Sequence, residues 1–302
     1  MSEERKKRTG YVALIGRPNV GKSTLLNHII GMKLAITSRL PQTTRKKMMA
    51  VYTSDRGQIV FMDTPGIHLA RNKLGEYMDS SAYKTLESVD SVLFLAEPKT
   101  YIGAGERHIL EELSKIHLPV FLVVNKIDMV KKAEIPPVIA AYKEIFDFAG
   151  CFPVSAKHKT GVDVLINRLY DSLPEGEPFF DEDTITNETE REIISELVRE
   201  QALRQLSEEV PHGVAVDIES MKRKRKIWHI EATIYCEKKS HKGIIIGRNG
   251  EKIKSIGMAA RAEIEKLLSS QVNLQLWVKV RPNWRDDEKI MRNLGYDLKD
   301  IS

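Results

Sequence analysis

A glycine-rich segment near the start of the chain has the residue types and spacing of a phosphate-binding loop. It fits the pattern G-x-x-x-x-G-K-S and follows an apolar run, and Thr24 continues it into a helical stretch. The segment consists of Gly16, Arg17, Pro18, Asn19, Val20, Gly21, Lys22 and Ser23. The backbone N–H groups of such a loop and of the helix N-terminus after it converge on a phosphate chain. In this pattern Lys22 reaches the outer phosphates and the Ser23 hydroxyl holds Mg²⁺.

A second motif follows another apolar run and could complete a metal site. Asp63, Thr64, Pro65 and Gly66 fit D-x-x-G, in which the carboxylate can hold Mg²⁺ and the Gly66 N–H can contact a γ-phosphate. Such a motif is common by itself and gains weight only from its neighbours. Between the two motifs lie residues 38–45, a segment with two adjacent threonines, one of which is expected to close over Mg²⁺ when the γ-phosphate is present.

Two further motifs point to the base. Asn125, Lys126 and Asp128 fit N-K-x-D at the end of a strand, and Ser155-Ala156-Lys157 follows the next one. A carboxylate at Asp128 can accept hydrogen bonds from guanine N1–H and from the exocyclic amine, whereas adenine offers no such donor pair. Because an unpaired buried carboxylate is costly, this contact predicts strong selection for guanine.

The four ordered motifs resemble those of the G domain of translation-factor-type GTPases. The resemblance implies GTP and GDP as ligands, Mg²⁺ held by Ser23, Thr44 and Asp63, and Thr44 rather than Thr43 as the switch threonine. It also implies that Lys22, Thr44 and Gly66 act on the γ-phosphate during hydrolysis.

One residue departs from the Ras-like pattern. Ile67 stands where Ras-like proteins place a glutamine that orients the attacking water, so slow intrinsic hydrolysis is expected. In similar GTPases with a hydrophobic residue there, an asparagine at the position of Asn19 helps hold K⁺, together with carbonyls that here are those of Ser38 and Leu40. Asn19 equally suits a loop position with left-handed backbone, so K⁺ stimulation is one of two interpretations.

The elements that must position these motifs alternate between strands and helices over residues 1–173. Apolar runs predict an α/β domain with a doubly wound, mostly parallel sheet of the Ras-like, P-loop type. A turn at residues 54–57 predicts a hairpin and hence one antiparallel pair. The candidate strands are residues 11–15, 48–53, 58–62, 91–96, 120–124 and 152–154.

Two prolines and a glycine end this pattern, and residues 174–189 are predicted to link the G domain to a second domain at residues 190–302. The second domain begins with an amphipathic helix at about residues 190–206. Two alternating strands, two helices and a last strand follow, so the order is α-β-β-α-α-β. Residues 222–226 are expected in a loop between the first two strands, and Trp228, Trp277 and Trp284 are expected to pack in the core or at its edge.

Between the two later helices lies a second glycine motif. It resembles the I-G-x-x-G-x-x-I-K signature of KH domains, and the element order is that of type II KH domains. Small glycines allow the RNA backbone to approach, and the following helix N-terminus favours phosphate. The resemblance implies RNA contacts by Ile246, Gly247, Arg248, Asn249, Gly250, Lys252 and Lys254.

Charge is segregated in this half of the chain. Residues 174–209 carry 3 Lys/Arg against 12 Asp/Glu, and residues 222–261 carry 12 against 3, within a net charge of +5 over 302 residues. A basic block of this density favours a polyanion such as nucleic acid. The two cysteines are too few for a disulfide framework and suit a reducing cytosol. No apolar run approaches a membrane span, and the charged first residues are not expected to be a signal peptide.

A G domain followed by a type II KH domain resembles the Era family of bacterial GTPases over essentially the whole chain. The resemblance implies binding to the 3′ end of 16S ribosomal RNA, a role in assembly of the 30S subunit and maturation of its RNA, a monomeric cytoplasmic protein, and peripheral association with the inner face of the membrane. Two alternatives stay open at this point. One is an RNA-binding module that uses GTP only as a structural ligand, and the other is a different translation-associated or tRNA-modification GTPase.

Overall fold

The computed structural model describes residues 6–38, 40, 43–67, 70 and 72–297, which form two compact units. The first unit comprises Met1–Ala35, Thr44–Leu69 and Met78–Asn187. The second comprises Ile36–Thr43, Ala70–Tyr77 and Glu188–Ser302, so it includes two short segments from the N-terminal half of the chain. Arg39, Pro41 and Gln42 of the predicted switch segment, and the first five residues of the chain, lie outside the described residues.

The first unit is built on a six-stranded sheet in the order β2-β3-β1-β4-β5-β6. Among the described strands of this sheet, β2 and β3 form the antiparallel pair, which confirms the predicted hairpin and the mostly parallel fold class. Residues of β3, β4 and β5 are buried throughout, as continuous apolar runs in a sheet covered on both faces require. The strands are β1 (Arg8–Gly16), β2 (Met48–Ser54), β3 (Gly57–Asp63), β4 (Ser91–Ala96), β5 (Val120–Val124) and β6 (Gly150–Pro153).

In the described ranges, five α-helices accompany this sheet. They are α1 (Lys22–Ile30), α2 (Lys73–Leu86), α3 (Ala104–Leu113), α4 (Ile135–Lys143) and α5 (Val162–Ser172). Because parallel strands end at a common edge of the sheet, the motifs that follow β1, β3, β5 and β6 meet there. The first five residues of α2 belong to the second unit. Across the part of the chain that the structure describes, no helix combines the length and apolar character needed to cross a bilayer.

The segment after α5 packs along the first unit. Val51 on the edge strand β2 donates its N–H to the Ile185 carbonyl at 2.8 Å. The Gln58 side chain accepts the Phe179 and Phe180 N–H groups at 2.9 and 3.0 Å, and the ring of Phe179 stacks on Tyr11 at 5.1 Å. This segment covers a sheet edge that would otherwise expose unpaired backbone groups.

The second unit contains a three-stranded sheet in the order β7-β8-β9, with β8 and β9 parallel. Its elements follow the predicted order α-β-β-α-α-β, and Thr189 caps the first helix with a capping box to Glu192. They are α6 (Glu190–Gln205), β7 (Ala215–Lys224), β8 (Ile227–Cys236), α7 (Lys239–Ile246), α8 (Glu251–Leu268), β9 (Gln271–Val280) and α9 (Glu288–Asn293).

Several sequence predictions differ from the structure in detail. The strand β6 begins two residues before the predicted start and ends at Pro153, one residue before the predicted end. Beyond Pro153, the Val154 N–H still donates to the Val124 carbonyl of β5. The strand β7 extends to Lys224, so most of the basic run is paired strand rather than loop, since cross-strand hydrogen bonds outweigh side-chain charge. Trp284 is fully buried as expected, whereas Trp277 is 56% exposed because it lies on the outer face of β9.

Candidate nucleotide site and RNA surface

The phosphate-binding loop is held in shape by an asparagine from the base-recognition motif. The Asn125 side chain donates to the Val20 carbonyl at 2.8 Å and accepts the Ala156 N–H at 2.9 Å. Gly21 has φ of 102°, and a Cβ there would overlap the Asn125 amide nitrogen. One buried amide therefore joins three of the four motifs, and Gly21 is needed for both its backbone angle and its lack of a side chain.

Two other glycines allow backbones to approach closely. A Cβ on Gly16 would lie 2.5 Å from the Leu95 carbonyl oxygen. A Cβ on Gly66 would lie 2.9 Å from the Pro18 nitrogen, so the D-x-x-G segment rests against the phosphate-binding loop. The structure thus brings the γ-phosphate contact predicted at Gly66 to the loop that would cradle the phosphates.

The predicted Mg²⁺ residues converge in the structure. The Ser23 hydroxyl lies 3.0 Å from both the Thr44 hydroxyl and the Asp63 carboxylate, and Thr44 lies 3.3 Å from the same carboxylate oxygen. Asp63 is fully buried, and its other oxygen, Oδ1, has no hydrogen-bond partner among the described residues. An unsatisfied buried carboxylate oxygen beside two hydroxyls fits a hard cation such as Mg²⁺. When bound, Mg²⁺ would neutralise charge on the β- and γ-phosphates.

Burial opposes the ionised forms of two side chains in this pocket, Asp63 and Lys22. Burial raises the pKa of Asp63 to about 6, an effect that Lys22 partly opposes. Burial likewise lowers the pKa of Lys22 to about 8, and Asp63 partly opposes it. The Lys22 ammonium donates to the carbonyls of Gly16 and Arg17 at 3.0 and 3.2 Å. Each group therefore gains from a ligand of opposite charge, and a magnesium-bound phosphate chain supplies both.

At the base end of the pocket, Asp128 is oriented by the S-A-K loop. The Ser155 hydroxyl donates to Asp128 Oδ1 at 2.5 Å, and this hydrogen bond lowers the pKa of Asp128 below its usual value. His158 lies 4.0 Å from the other carboxylate oxygen. The carboxylate remains ionised at neutral pH and keeps acceptor sites for a guanine base.

Sequence reasoning missed Glu97 at the same edge. Lys126 donates to the Asn19 carbonyl at 2.6 Å and to the Glu97 carboxylate at 2.5 Å, and Lys99 also bonds Glu97 at 2.6 Å. Glu97 directly follows β4, and its place at a strand end was the available sequence clue. Glu97 thereby holds the Lys126 side chain against the phosphate-binding loop.

The remaining predicted residues have less specific settings. Thr64 is buried and donates its hydroxyl to the Leu14 carbonyl at 2.8 Å, so it supports the D-x-x-G turn. Asn19 has φ of 67°, the left-handed backbone that formed the alternative to a K⁺ role. Thr24 lies in the first turn of α1, Pro65 is buried beside Thr64, and Lys157 is exposed.

Within the second unit, the switch segment is tied to α6. The Thr37 N–H and hydroxyl donate to the fully buried Glu200 carboxylate at 2.9 and 3.1 Å. The buried Arg199 guanidinium donates to the carbonyl of Thr43, the residue before the switch threonine. No motif marks Arg199 and Glu200, so the sequence contained no clue to these contacts.

The second glycine motif forms a tight loop between α7 and α8. Gly247 has φ of 75°, Asn249 has φ of 50° and Gly250 has φ of 79°. A Cβ on Gly247 would meet the Lys252 side chain at 2.6 Å, whereas Gly250 faces open space. The exposed backbone of this loop is accessible to a phosphate.

The basic residues of this motif carry free charge. Arg248 and Lys254 are exposed, Ile246 and Lys252 are half-buried, and none of the three cations pairs with a carboxylate in the described part of the chain. The structure therefore places the predicted RNA residues at the end of α7, on the loop after it and in the first turn of α8.

Comparison with protein-family models assigns both units. Residues 11–126 match the 50S ribosome-binding GTPase family, and residues 209–285 match the KH domain family. GTPase Era of Clostridium kluyveri is 50% identical over 96% of this chain and 99% of its own length. GTPase Era of Clostridioides difficile is 48% identical over 97% and 99%.

Solved structures agree over the same extent. A tyrosine-to-alanine variant of Aquifex aeolicus Era bound to GDP·AlF4⁻ has a TM-score of 0.92 at 37% identity, covering 96% of this chain and 100% of the other. Era in complex with MgGDPNP and nucleotides 1506–1542 of 16S ribosomal RNA has a TM-score of 0.93 at 37% identity, covering 97% and 100%. With such identity along nearly its entire length, the protein belongs to the GTPase Era family and is a GTP hydrolase.

Proposed function

We propose that the protein is a GTP-controlled factor that binds the 3′ end of 16S ribosomal RNA and assists assembly of the 30S subunit and maturation of its RNA. The observation that carries this proposal is that one chain contains both the Ser23, Thr44 and Asp63 cluster and the exposed second glycine motif. We call the latter, residues 247–250, the Gly-Arg-Asn-Gly loop. A relative with this architecture was solved with both MgGDPNP and a 16S RNA segment. The cluster also disfavours GTP as a purely structural ligand, since a fixed ligand needs no switch threonine.

For hydrolysis, we assign positioning and charge neutralisation to the pocket rather than base catalysis. Lys22 and the backbone of the phosphate-binding loop hold the phosphates, and the Gly66 N–H contacts the γ-phosphate. Thr44, Ser23 and Asp63 would hold Mg²⁺. Ile67 is 5% exposed and has no polar group that could orient water. Basal turnover is therefore expected to be slow.

RNA binding under nucleotide control tests this proposal. The RNA of nucleotides 1506–1542 should bind the wild type more tightly with GDPNP than with GDP. Replacing Arg248 and Asn249 together by Asp should abolish RNA binding, because negative charge would stand where phosphate must sit, while basal GTP hydrolysis persists. RNA binding by this double variant at wild-type affinity would contradict the proposal.

K⁺ stimulation belongs to the same proposal and rests on Asn19. Turnover should be higher in K⁺ than in Na⁺, and Asn19→Ala should remove that difference while GTP affinity stays within about threefold, because the ion would act on transition-state charge. Equal turnover of the wild type in the two salts would exclude the role.

Peripheral membrane association and a monomeric state remain predictions from the family resemblance. Flotation of the purified protein with anionic vesicles checks the first, and sedimentation checks the second. If the protein stays at the bottom of the gradient and does not float with the anionic vesicles, membrane association is excluded.

A further inference from the structure

The tip of the β7–β8 hairpin is wholly basic. We call residues 222–226 the basic tip; they are Lys222, Arg223, Lys224, Arg225 and Lys226. The first three lie on β7 opposite His229, Trp228 and Ile227 of β8, and only Arg225 and Lys226 form the turn. Paired strands hold three of the cations at the end of the three-stranded sheet rather than on a loose loop.

These cations differ from several others in the same unit. All five side chains of the basic tip are exposed, and none lies within ion-pair distance of a carboxylate in the described ranges. Arg223 instead lies 5.9 Å over the Trp228 ring. Other basic residues nearby pair with carboxylates at 2.6 to 2.9 Å, namely Arg261, Lys266, Lys279 and Arg285. The basic tip is therefore a concentration of unneutralised positive charge.

The basic tip is far from the Gly-Arg-Asn-Gly loop. The helix α8 begins at that loop, and β9 follows it with Gln271 paired to Ile227, the residue after the basic tip. Eighteen residues of α8 span about 27 Å at about 1.5 Å per residue. Because a KH loop holds about four nucleotides, one strand bound there reaches the basic tip only after roughly eight further stacked nucleotides at about 3.4 Å each.

We propose that the basic tip is a second RNA site, which binds the phosphate backbone of RNA beyond the nucleotides held at the Gly-Arg-Asn-Gly loop. Lysines act there as point charges and arginines as planar donors, so the contact is independent of sequence. On the same sheet face as Lys222 lie His229 and Asn273, whose side chains are 3.4 Å apart and provide polar groups beside the phosphates. The inference rests on the proposed RNA-binding function.

Charge alone would also suit an anionic lipid surface, but the basic tip lacks the apolar component of such a contact. Stable attachment to a bilayer combines charge with inserted apolar area. Of the apolar residues beside the basic tip, Ile227 is 37% exposed, and Met221 and Trp228 are partly buried. A long polyanion that already engages the same unit at the Gly-Arg-Asn-Gly loop matches the basic tip better.

A triple variant that removes three positive charges tests the basic tip without disturbing the hairpin. Lys222, Lys224 and Lys226 are changed together to Gln, and a control changes the exposed Lys132, Lys143 and Lys289 to Gln. Both variants lose the same charge. Binding is measured with the RNA of nucleotides 1506–1542 and with fragments of about ten nucleotides tiled across it.

For the long RNA, the basic-tip variant should bind about tenfold more weakly, and its slope of log affinity against log salt should fall by about 2, as expected for three lost phosphate contacts. Affinity for the best short fragment should stay within about twofold, because that fragment cannot span both sites. The control should match the wild type with both RNAs.

Unchanged affinity and salt slope of the basic-tip variant for the long RNA would overturn the inference. So would retention of RNA binding together with lost binding to phosphatidylglycerol vesicles, which would assign the basic tip to lipid. If the Arg248 and Asn249 double variant loses all RNA binding while the basic-tip variant loses none, the proposed function stands and this inference alone fails. If the wild type binds neither RNA, both fail.

Discussion

The nucleotide pocket and the RNA surface use polar side chains in opposite ways. In the pocket, Asp63, Asn125 and Lys22 are 0%, 2% and 6% exposed and bond to other parts of the same site. On the RNA surface, Arg248 and the basic tip are exposed and have no carboxylate partner among the described residues. The pocket thus depends on shape and on buried polar contacts, whereas the surface depends on the number of free charges.

Gly21→Ala should have the largest effect, because it attacks shape. Gly21 has a left-handed backbone, and an added Cβ would overlap the Asn125 amide. The phosphate-binding loop would then lose the Asn125 hydrogen bonds that connect it to the other motifs. We expect nucleotide affinity to fall by about 100-fold or more, measured by GDP titration calorimetry.

Gly31→Ala is the matched control for that variant. Gly31 also has positive φ, but a Cβ there meets nothing within 4 Å. It should cost about 1 kcal/mol of stability and leave GDP affinity unchanged. Equal loss of affinity in both variants would show that backbone strain, rather than the contact with Asn125, controls the pocket.

Asp128→Asn should be next in size. The amide loses one acceptor and adds a donor, so guanine is left with an unpaired N–H, and GDP affinity should fall by roughly 100-fold. Xanthosine diphosphate, which offers a carbonyl, should bind this variant more tightly than the wild type. Competition between the two nucleotides measures both changes, and retained GDP preference would refute the assigned role of Asp128.

Glu97→Gln probes a contact that is only partly buried. Lys126 keeps the Asn19 carbonyl but loses its ion pair, so GDP affinity should fall about two- to fivefold. Glu112→Gln is a suitable control, because it removes the ion pair between Glu112 on α3 and Lys115. That pair has the same N–O distance as the pair between Glu97 and Lys126, and the two carboxylates are equally exposed. Dissociation of a fluorescent GDP analogue gives the comparison, and equal rates in the two variants would remove Glu97 from the pocket.

Single neutralisations on the RNA surface should have the smallest effects. Arg248→Gln or Lys254→Gln should weaken RNA binding about two- to fivefold and lower the salt slope by about 0.7, since each removes one phosphate contact. Lys143→Gln is the control. A hundredfold loss from one of these changes would mean that the surface is organised like the pocket.

The same contrast explains what could be predicted from sequence. The motifs of the pocket occupy strand ends, and a doubly wound sheet brings strand ends together, so motif spacing predicts that Ser23, Asp63 and Asn125 lie at one edge of the sheet. The structure brings Ser23 to Asp63 and Asn125 to the loop at Ala156, while their roles toward a nucleotide stay predictions. The order of elements in the second unit followed from apolar periodicity in the same way. Such features depend on local pattern and known topology.

Contacts between distant segments were not predictable. Glu97 is an ordinary surface residue by type, and only the fold shows that it meets Lys126. Arg199 and Glu200 lie beside the apolar stripe of α6, and they are buried where Thr37 and the Thr43 carbonyl meet them in the same unit. A charged side chain can be buried when a carbonyl or hydroxyl from a distant segment forms a hydrogen bond with it. The sequence pattern of a single helix does not reveal that partner.

The salt dependence of the two binding equilibria tests the contrast most directly. Affinities of the wild type for MgGDP and for the RNA of nucleotides 1506–1542 are measured from about 50 mM to about 200 mM salt. We expect RNA affinity to fall by about 100-fold or more, as contacts with six or more phosphates imply, and MgGDP affinity to change by less than about threefold. An RNA affinity as insensitive to salt as that of MgGDP would contradict the account.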